Sequence, residues 1–372
     1  MPHIQIALVG GQTAPVLTVI KELKPDGVVL VYSQETEQEM LAIEQVLDAK
    51  FNLISCESRK LDPSDCHDII EGLETIWGRY ENAQLSVNIS SGTKAWSFYA
   101  QSVFGNIAGT TFYYIDQKNT LWNLTSETST TVEPYMPDWW ADGKAQSVSY
   151  DVFTPEDFEA LGQIERLRHF SPDSFRDMTN TDYGNEPDPA EDFEIKGFGD
   201  DVLRWNATDQ SFCISLKKGE EEMAETLQSP NIFYLLFNFS WFEYKVAHMI
   251  DSWGKATNIT LNNKFSMTRN FAKPDNEVDI IFESGGRRFF VEVKTSIAHS
   301  TDIDKFNSVV GRMAGTGALK LFVAERVGAK GGTAMSKCKQ YGIGYFFLEK
   351  EKKDPEGAFF GMLDELLERI NK

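Results

Sequence analysis

Short apolar runs alternate with helix-like segments over the first 125 residues, and this alternation most limits the folds open to the chain. Strands are predicted at Ile4–Val9, Gly27–Tyr32, Phe51–Ser55, Leu85–Ile89 and Thr110–Ile115. Helices are predicted at Pro15–Leu23, Glu35–Ala49, Asp65–Tyr80 and Thr93–Phe104. Strands joined through helices form parallel sheets, because each crossover returns the chain to the end of the sheet at which the previous strand began. The chain therefore begins with an α/β domain, and open sheets of this kind bind ligands beyond the carboxyl ends of their strands.

Length and charge narrow the classes of protein further. A chain of 372 residues exceeds what one hydrophobic core usually organises, so two domains with an intermediate segment are expected. The formal net charge is −20, which argues against a protein that coats nucleic acid through bulk electrostatics, since phosphate neutralisation needs dense Lys and Arg. Any nucleic acid would be held locally or through metal ions.

Cysteine usage and the N-terminus predict a cytoplasmic protein. The four cysteines are Cys56, Cys66, Cys213 and Cys338. They lie far apart without a Cys-x-x-Cys pair, which favours reduced thiols over a disulfide or zinc framework. The opening MPHIQIALVGG lacks the basic and long apolar regions of a signal peptide, and no later apolar run is long enough to span a bilayer. No membrane contact is expected.

Three segments are predicted: an N-terminal domain over 1–133, a connector over 134–228 and a second domain over 229–372. The connector contains the acidic, proline-bearing stretch GNEPDPAEDFE, with one amphipathic helix at 157–169 and a strand at Phe212–Leu216. Ser229 is a plausible N-cap and Pro230 a first helical residue. They predict a long helix that ends near Trp253 and opens the second domain.

Two apolar strands in the second domain bring together three charged residues, Asp279, Glu292 and Lys294. The strands and their loop are Val278–Glu283, Ser284–Arg287 and Phe289–Lys294. The Gly-Gly centre of the loop predicts a two-residue hairpin connection. Counting outward from it places Asp279 directly opposite Glu292. Strand alternation adds Lys294 to the same face and turns Val291 and Val293 into the opposite, apolar layer.

These three charges predict a metal-dependent phosphodiesterase site. Two carboxylates on neighbouring strands repel each other unless a cation lies between them, and a divalent ion such as Mn²⁺ or Mg²⁺ would resolve the conflict. Such an ion activates water and stabilises phosphoryl charge, while Lys294 would position the nucleophile or steady the transition state. The alternative without a function is an exposed hairpin with one ordinary Glu-Lys contact. The apolar neighbours argue against it, because central strands rarely carry three charges on one face.

Glu243, in SWFEYKVAHMI on the preceding helix, is a fourth candidate, and a solvent-facing helix residue is its alternative interpretation. The order of Glu243 on a helix, then Asp279, then Glu292-Val293-Lys294 resembles the PD-(D/E)xK nuclease superfamily, with Val in place of Pro before the Asp. The resemblance covers 229–372 and implies a restriction-endonuclease-like α/β domain. It implies catalytic roles for Glu243, Asp279, Glu292 and Lys294. It also implies metal ligation by the three carboxylates and the carbonyl of Val293.

Two loops in the N-terminal domain are suited to anions. The first loop offers Gly11, Gln12 and Thr13, and the second offers Ser91, Gly92, Thr93 and Lys94. Glycines let the backbone approach a ligand, and Thr13 can cap a helix whose N-terminus favours negative charge. Ordinary βα turns are the alternative, since neither loop is a Walker A or GxGxxG motif.

Together the loops resemble the CARF domain, the CRISPR-associated Rossmann-like sensor, and the SSGTK run is the more specific part. The resemblance implies that these loop residues bind a cyclic oligoadenylate, with Asp116 and Gln117 as further contacts. It also implies cyclic tetra-adenylate as the activator and a homodimer with the ring across its two-fold axis. The whole chain resembles the ancillary CARF and PD-(D/E)xK nucleases of type III CRISPR antiviral defence. Allosterically activated cleavage of DNA, single-stranded RNA or both is therefore expected.

Two other functions are considered. A CARF protein with a HEPN ribonuclease needs an Arg and a His separated by four to six residues, whereas Arg166 and His169 are too close. A ligand-gated nucleic-acid-binding regulator with a degenerate nuclease fold would use the charged cluster only to bind a nucleic-acid backbone. Retention of both carboxylates and the lysine argues against the regulator.

Overall fold

The structure is a computed structural model, and its described residues form three sheets with helices packed against them. The described residues are 1–51, 53, 55–116, 119–132, 135, 146–180, 187–237, 240–265, 276–285, 287–296, 300–314, 318–326, 331–350 and 353–371. A search of these residues for a helix long and apolar enough to cross a membrane found none.

The N-terminal residues form a parallel sheet covered by helices on both faces. Its strands are β1 (His3–Leu8), β2 (Gly27–Tyr32), β3 (Ser55–Lys60), β4 (Gln84–Asn88), β5 (Thr111–Ile115), β6 (Thr120–Asn123) and β7 (Thr128–Thr131). Its helices are α1 (Ala14–Leu23), α2 (Glu37–Lys50), α3 (Cys66–Arg79) and α4 (Lys94–Phe104). The order is β3-β2-β1-β4-β5-β6-β7, with β1 to β5 parallel and β6 and β7 antiparallel. One apolar cluster joins the sheet to α3 and α4, and another joins it to α1 and α2. The predicted α/β fold is confirmed.

The third strand begins later than predicted. Strand β3 starts at Ser55, where the predicted strand Phe51–Ser55 ends. It lies at the edge of the sheet and has the half-exposed sequence SCESRK. An edge strand needs no continuous apolar run, so the apolar FNLI segment gave the wrong position. Strand β7 escaped prediction for a related reason, because its four residues are all exposed.

The predicted connector contains regular structure. It begins with β8 (Gln146–Ser149), α5 (Pro155–Phe170) and α6 (Pro172–Thr179). An antiparallel sheet follows, formed by β9 (Phe193–Lys196), β10 (Val202–Asn206), β11 (Ser211–Lys218) and β12 (Glu221–Gln228). Helix α5 and strand β11 confirm the predicted helix and strand in this segment.

The C-terminal residues form a mixed sheet between two helical layers. Besides β8, its strands are β13 (Thr257–Phe265), β14 (Asn276–Ser284), β15 (Arg287–Ser296), β16 (Leu319–Arg326) and β17 (Gly344–Phe347). The helices are α7 (Ile232–Leu236), α8 (Ser240–Ser252), α9 (Thr301–Ala314), α10 (Gly331–Gln340) and α11 (Pro355–Asn371). The sheet order is β17-β16-β15-β14-β13-β8, so a strand from the predicted connector forms its edge. Helices α8 and α11 pack with one face and α9 and α10 with the other.

The long helix predicted from Pro230 to about Trp253 is wrong in its first part. Helix α7 begins at Ile232, and Phe237 has an extended backbone that separates it from α8. The N-cap position is Asn231 rather than Ser229. The backbone N–H and side-chain amide of Asn231 both donate to the carboxylate of Asp157 at 2.9 Å. This contact with α5 fixes where the helix starts.

Candidate functional site

The hairpin of β14 and β15 has the register expected from its Gly-Gly loop. Ser284 is paired with Arg287, and the pairing continues inward to Ile280 opposite Val291. Asp279 and Glu292 are the next positions in this register, one residue beyond the last described pair. The Asp279 side chain reaches the neighbouring strand at this point, because its Oδ2 atom accepts a 2.6 Å hydrogen bond from the Val293 N–H.

The three predicted charges lie together. The Lys294 ammonium group is 2.8 Å from Oε1 of Glu292 and 3.5 Å from Oδ2 of Asp279. Asp279 is 6% exposed, so this is not a solvated surface pair. Val291 and Val293 pack in the apolar core with α8, as strand alternation predicted. The interpretation as an ordinary exposed hairpin is therefore wrong.

Glu243 joins this group from α8. It lies in the first turn of that helix and interacts electrostatically with Asp279, Glu292 and Lys294. The solvent-facing alternative for Glu243 is wrong, since burial is the largest cause of the raised pKa of its carboxyl group. A helix on one side and a hairpin on the other thus supply the four predicted catalytic side chains.

The cluster holds more negative charge than its buried cation can balance. Burial and the nearby Asp279 raise the pKa of Glu292 to about 8. The same two causes, in the same order, hold the pKa of Glu243 well above its usual range. Burial alone would lower the pKa of Lys294, but Asp279 and Glu292 raise it, so the ammonium form is favoured. Raised carboxyl pKa values beside one protonated lysine indicate a site that would attract a further cation.

Three more charged residues belong to this neighbourhood and were missed in the sequence. Glu277 lies two residues before Asp279 on β14, and burial followed by Asp279 raises its pKa. Lys264 on β13 and Lys305 on α9 both interact electrostatically with Glu277. Strand alternation would have found Glu277, because residues two apart share a face. No local pattern marks the two lysines.

The donor set fits a hard divalent cation in its chemistry. Carboxylate oxygens from Asp279, Glu292 and Glu243 are the ligands that Mg²⁺ and Mn²⁺ prefer. Within the described parts of the chain, no three His, Cys, Asp or Glu side chains converge closely enough to hold a metal ion. The Lys294 ammonium, within 3.5 Å of two of these carboxylates, supplies the positive charge there. The residues match the charge and ligand type of such an ion without forming a closed ligand triad.

The two predicted N-terminal loops meet at the carboxyl ends of neighbouring strands. Strands β1 and β4 pair in parallel, and the sheet order reverses between them. The Gly10 N–H donates to Oγ of Ser91 at 2.9 Å, and that hydroxyl donates to the Gln12 carbonyl at 3.2 Å. A Cβ atom on Gly10 would lie 2.5 Å from the Gly92 nitrogen, so only glycine allows this approach. The junction is a topological switch point, where open α/β sheets bind their ligands.

Individual loop residues differ in what they offer a ligand. Gly11, Gly92, Thr93 and Lys94 are exposed, whereas Gln12 and Ser91 are half-buried. Thr93 caps α4, because its Oγ1 accepts from the Trp96 N–H at 3.2 Å, and Lys94 is the first residue of that helix. The anion-favouring helix start predicted for the second loop therefore exists.

Thr13 and Asp116 have different environments from the exposed loop residues. Thr13 occupies the N-cap position of α1, but it forms no side-chain cap, and its buried Oγ1 has no partner among the described residues. The prediction that Thr13 caps this helix through its side chain is wrong. Both carboxylate oxygens of Asp116 are bound within the β5–β6 turn, by the Thr120 N–H and by Nε1 of Trp122. Gln117 lies outside the described residues.

Comparison with known proteins gives one family match and a shared overall fold. Residues 4–136 match the family model described as the Card1 CARF domain. A search of curated proteins found no match. The chain is similar to the structure of Can2 from Sulfobacillus thermosulfidooxidans in complex with cyclic tetra-adenylate, with a TM-score of 0.63 and 16% identity over 98% of this chain and 99% of that one. It is also similar to protein VC1899 from Vibrio cholerae, with a TM-score of 0.64 and 12% identity over 98% of both chains. At such identities the likeness shows a common fold.

Proposed function

We propose that this protein is a nuclease activated by cyclic oligoadenylate in type III CRISPR defence, on the basis of the Card1 CARF domain match over residues 4–136 and of the acidic cluster in the C-terminal sheet. One observation carries the proposal: Asp279, Glu292, Lys294 and Glu243 meet in a half-buried cluster, in a chain that also contains a CARF domain. The site chemistry supports phosphodiester hydrolysis, and the domain supports its control by a nucleotide.

The sensor site would bind the ligand through the loops that follow β1 and β4. A cyclic oligoadenylate carries one negative charge at each phosphate, and the start of α4 offers unpaired backbone N–H groups and the Lys94 ammonium. Ser91 couples the two loops, so a ligand that contacts one loop also orients the other. Cyclic tetra-adenylate is the proposed activator because the related Can2 structure contains it. Asp116 and Gln117 remain weaker candidates for contact.

A homodimer is part of this proposal. The N-terminal domain exposes large apolar side chains at Phe98, Tyr114, Trp122 and Leu124, and Phe98 is 70% exposed. Exposed apolar groups of this size often mark surfaces that a partner covers. Two copies facing each other would place two sets of ligand loops around one ring. The ligand would then favour one arrangement of the two copies over the other, which is how it would control the distant nuclease site.

The nuclease site would use a divalent metal ion, Mn²⁺ or Mg²⁺, held by Asp279, Glu292, Glu243 and the carbonyl of Val293. When bound, such an ion supplies Lewis acidity to a phosphoryl oxygen and to a water molecule. Lys294 would donate hydrogen bonds from Nζ to the attacking water or to a phosphoryl oxygen, since its raised pKa keeps it protonated. Asp279 would fix the path of the chain at Val293 through its hydrogen bond to the N–H.

The proposed substrates are DNA, single-stranded RNA or both, in the cytoplasm. The cysteines among the described residues are free thiols, which fits a reducing compartment. With a net charge of −20, tight sequence-independent binding of duplex is disfavoured, so flexible single strands and supercoiled DNA are the better substrates.

A cleavage assay tests the proposal. Supercoiled plasmid, single-stranded DNA and single-stranded RNA are each incubated with the protein, Mn²⁺ and cyclic tetra-adenylate. Cleavage of at least one substrate is expected, and it should require both the metal ion and the ligand. Binding of nucleic acid without any cleavage would instead support a ligand-gated regulator.

A further inference from the structure

A cleft beside the acidic cluster contains groups that the proposed hydrolysis does not use. Its volume is about 460 Å³, and Glu243 and Glu277 form part of its wall. Because Glu243 also belongs to the cluster, the cleft opens directly onto the proposed reaction site. A volume of this size falls within the range of pockets that hold small molecules.

The remaining walls of the cleft combine apolar and aromatic groups with the polar side chains of Lys264, Asn231 and Ser240. Phe233, Phe237 and Pro230 line it together with Tyr234. Phe233 and Phe237 lie 5.2 Å apart between ring centroids, and Phe237 is held by the core of the domain. Phe237 is only 3% exposed, so the half-buried Phe233, held by this contact, is the ring on which a planar heterocycle can stack. Base stacking on aromatic side chains is a common means of holding single strands.

Two polar atoms of the cleft lack a well-formed hydrogen bond. Oδ1 of Asn262 is buried without a partner among the described residues, and the same is true of the Tyr234 hydroxyl, although the Ser240 hydroxyl lies close enough to influence its pKa. Asn262 also has a left-handed backbone, with φ of 51°. Buried polar groups without partners cost free energy, so they mark places where a ligand is able to supply the missing bond.

We propose that this cleft takes one unpaired nucleobase of the strand whose phosphodiester lies at the acidic cluster, a proposal that rests on the proposed function. Glu243 and Glu277 line the cleft together with Lys264, whose ammonium group offsets only part of their charge, so an uncharged base suits the cleft better than a phosphate. The unpaired acceptor on the wall is Oδ1 of Asn262, which favours bases that carry an amino group. Adenine, cytosine and guanine meet this requirement, and thymine and uracil do not.

Such a cleft would distinguish single-stranded from duplex nucleic acid. A base inside a duplex is paired and stacked, so it reaches a lateral cleft only after it has been flipped out of the helix. Single strands present their bases without this cost. The cleft therefore selects single-stranded or locally opened nucleic acid, independently of the metal ligands.

An abasic scan tests this assignment. A labelled single-stranded DNA is cut by the protein with Mn²⁺ and cyclic tetra-adenylate, and one nucleotide at a time around the cleaved bond is replaced by an abasic residue. Loss of one stacked base is expected to lower kcat/KM about 10-fold at a single position. At the other positions the abasic residue should change the rate little.

Variants of the cleft identify the cause of that effect. Asn262→Gly removes the unpaired acceptor and suits the left-handed backbone, so the variant should cut the intact strand more slowly and lose the sensitivity to the abasic position. Tyr234→Phe removes one hydroxyl and provides a second variant that keeps the ring. Asn258→Gly is the matched control, because Asn258 lies on the same strand with φ of 53° and bonds to Glu283 outside the cleft.

Homopolymers test the base preference. Oligo-dC should be cut faster than oligo-dT by the unaltered protein, and Asn262→Gly should bring the two rates together. Equal rates for all abasic positions would overturn the nucleobase assignment while leaving the nuclease proposal intact. Failure of the activated protein to cut any strand would overturn both.

Discussion

Oδ2 of Asp279 accepts a 2.6 Å hydrogen bond from the backbone N–H of Val293, the residue between Glu292 and Lys294. One carboxylate thereby fixes the backbone of the neighbouring strand at the position from which both other charges project. Asp279→Asn keeps an oxygen for this bond and removes the negative charge. We expect cleavage to fall at least about 100-fold, since even residues that only orient the ligands of a metal cost ~10–100-fold when changed, with an unchanged Tm. An unfolded variant would show that the charge is structural.

Lys294 should matter for cleavage and not for ligand binding. Lys294→Ala removes the cation that lies within 3.5 Å of two carboxylates, so cleavage should be lost. Affinity for cyclic tetra-adenylate, measured by calorimetry, should be unchanged. Lys255→Ala is the control, because Lys255 forms an exposed ion pair with Asp364 that typically contributes little. Equal activity of the two variants would contradict the assigned role.

Gly92 should be required for ligand binding. Its φ is +83°, and a Cβ atom there would lie 2.9 Å from Cβ of Leu8, so Gly92→Ala must displace the second loop. We expect affinity for cyclic tetra-adenylate to fall at least about 10-fold, because the displaced loop no longer presents its ligand-binding groups in place, and 10-fold corresponds to about 1.4 kcal/mol. Gly109→Ala is the matched control, since Gly109 has φ of +88° and open space around it. It should share the strain and keep the affinity.

Metal binding should raise the melting temperature without any substrate. A divalent ion that binds only the folded protein at 100 times its Kd stabilises it by about 2.7 kcal/mol. Mn²⁺ should therefore raise the Tm, and EDTA should reverse the change. Glu292→Gln should abolish most of the shift. Glu283→Gln on the same hairpin should keep it, because Glu283 pairs with Arg288 away from the cluster.

Asp157 should stabilise the fold in a pH-dependent way. Burial alone would raise the pKa of this carboxyl, but the hydrogen bonds led by Asn231 lower it overall. A lowered folded pKa means that the contribution is complete above the unfolded value of about 3.9 and is lost as the pH falls through the folded value. Asp157→Asn should cost about 2 kcal/mol in urea unfolding at pH 7, and the difference should shrink near pH 3. Asp173→Asn, in an exposed ion pair, should change little at either pH.

The parts that could be predicted from the sequence are those with a local cause. The Gly285 turn fixes the hairpin register, so counting outward gave the described pairing from Ser284–Arg287 to Ile280–Val291. Asp279 and Glu292 are the next positions in that register. The same is true of the N-terminal sheet, where apolar runs mark the central strands. Glu277 was missed although alternation with Asp279 could have revealed it.

Other features depend on contacts between distant parts of the chain. The start of α7 is set by the bond between Asn231 and Asp157, which are 74 residues apart. Strand β3 carries no apolar run because it lies at a sheet edge. No sequence pattern shows that Lys305 on α9 would approach Glu292. Such features follow from the assembled fold.

Strand β8 determines where the chain can be divided. It precedes α5 in sequence but pairs with β13, so it covers the outer hydrogen-bonding groups of the C-terminal sheet. A fragment that starts at the predicted boundary of residue 229 would leave β13 as a bare edge, and exposed edges recruit strands from other molecules. An isolated C-terminal fragment must therefore begin before Gln146 if it is to remain monodisperse during purification.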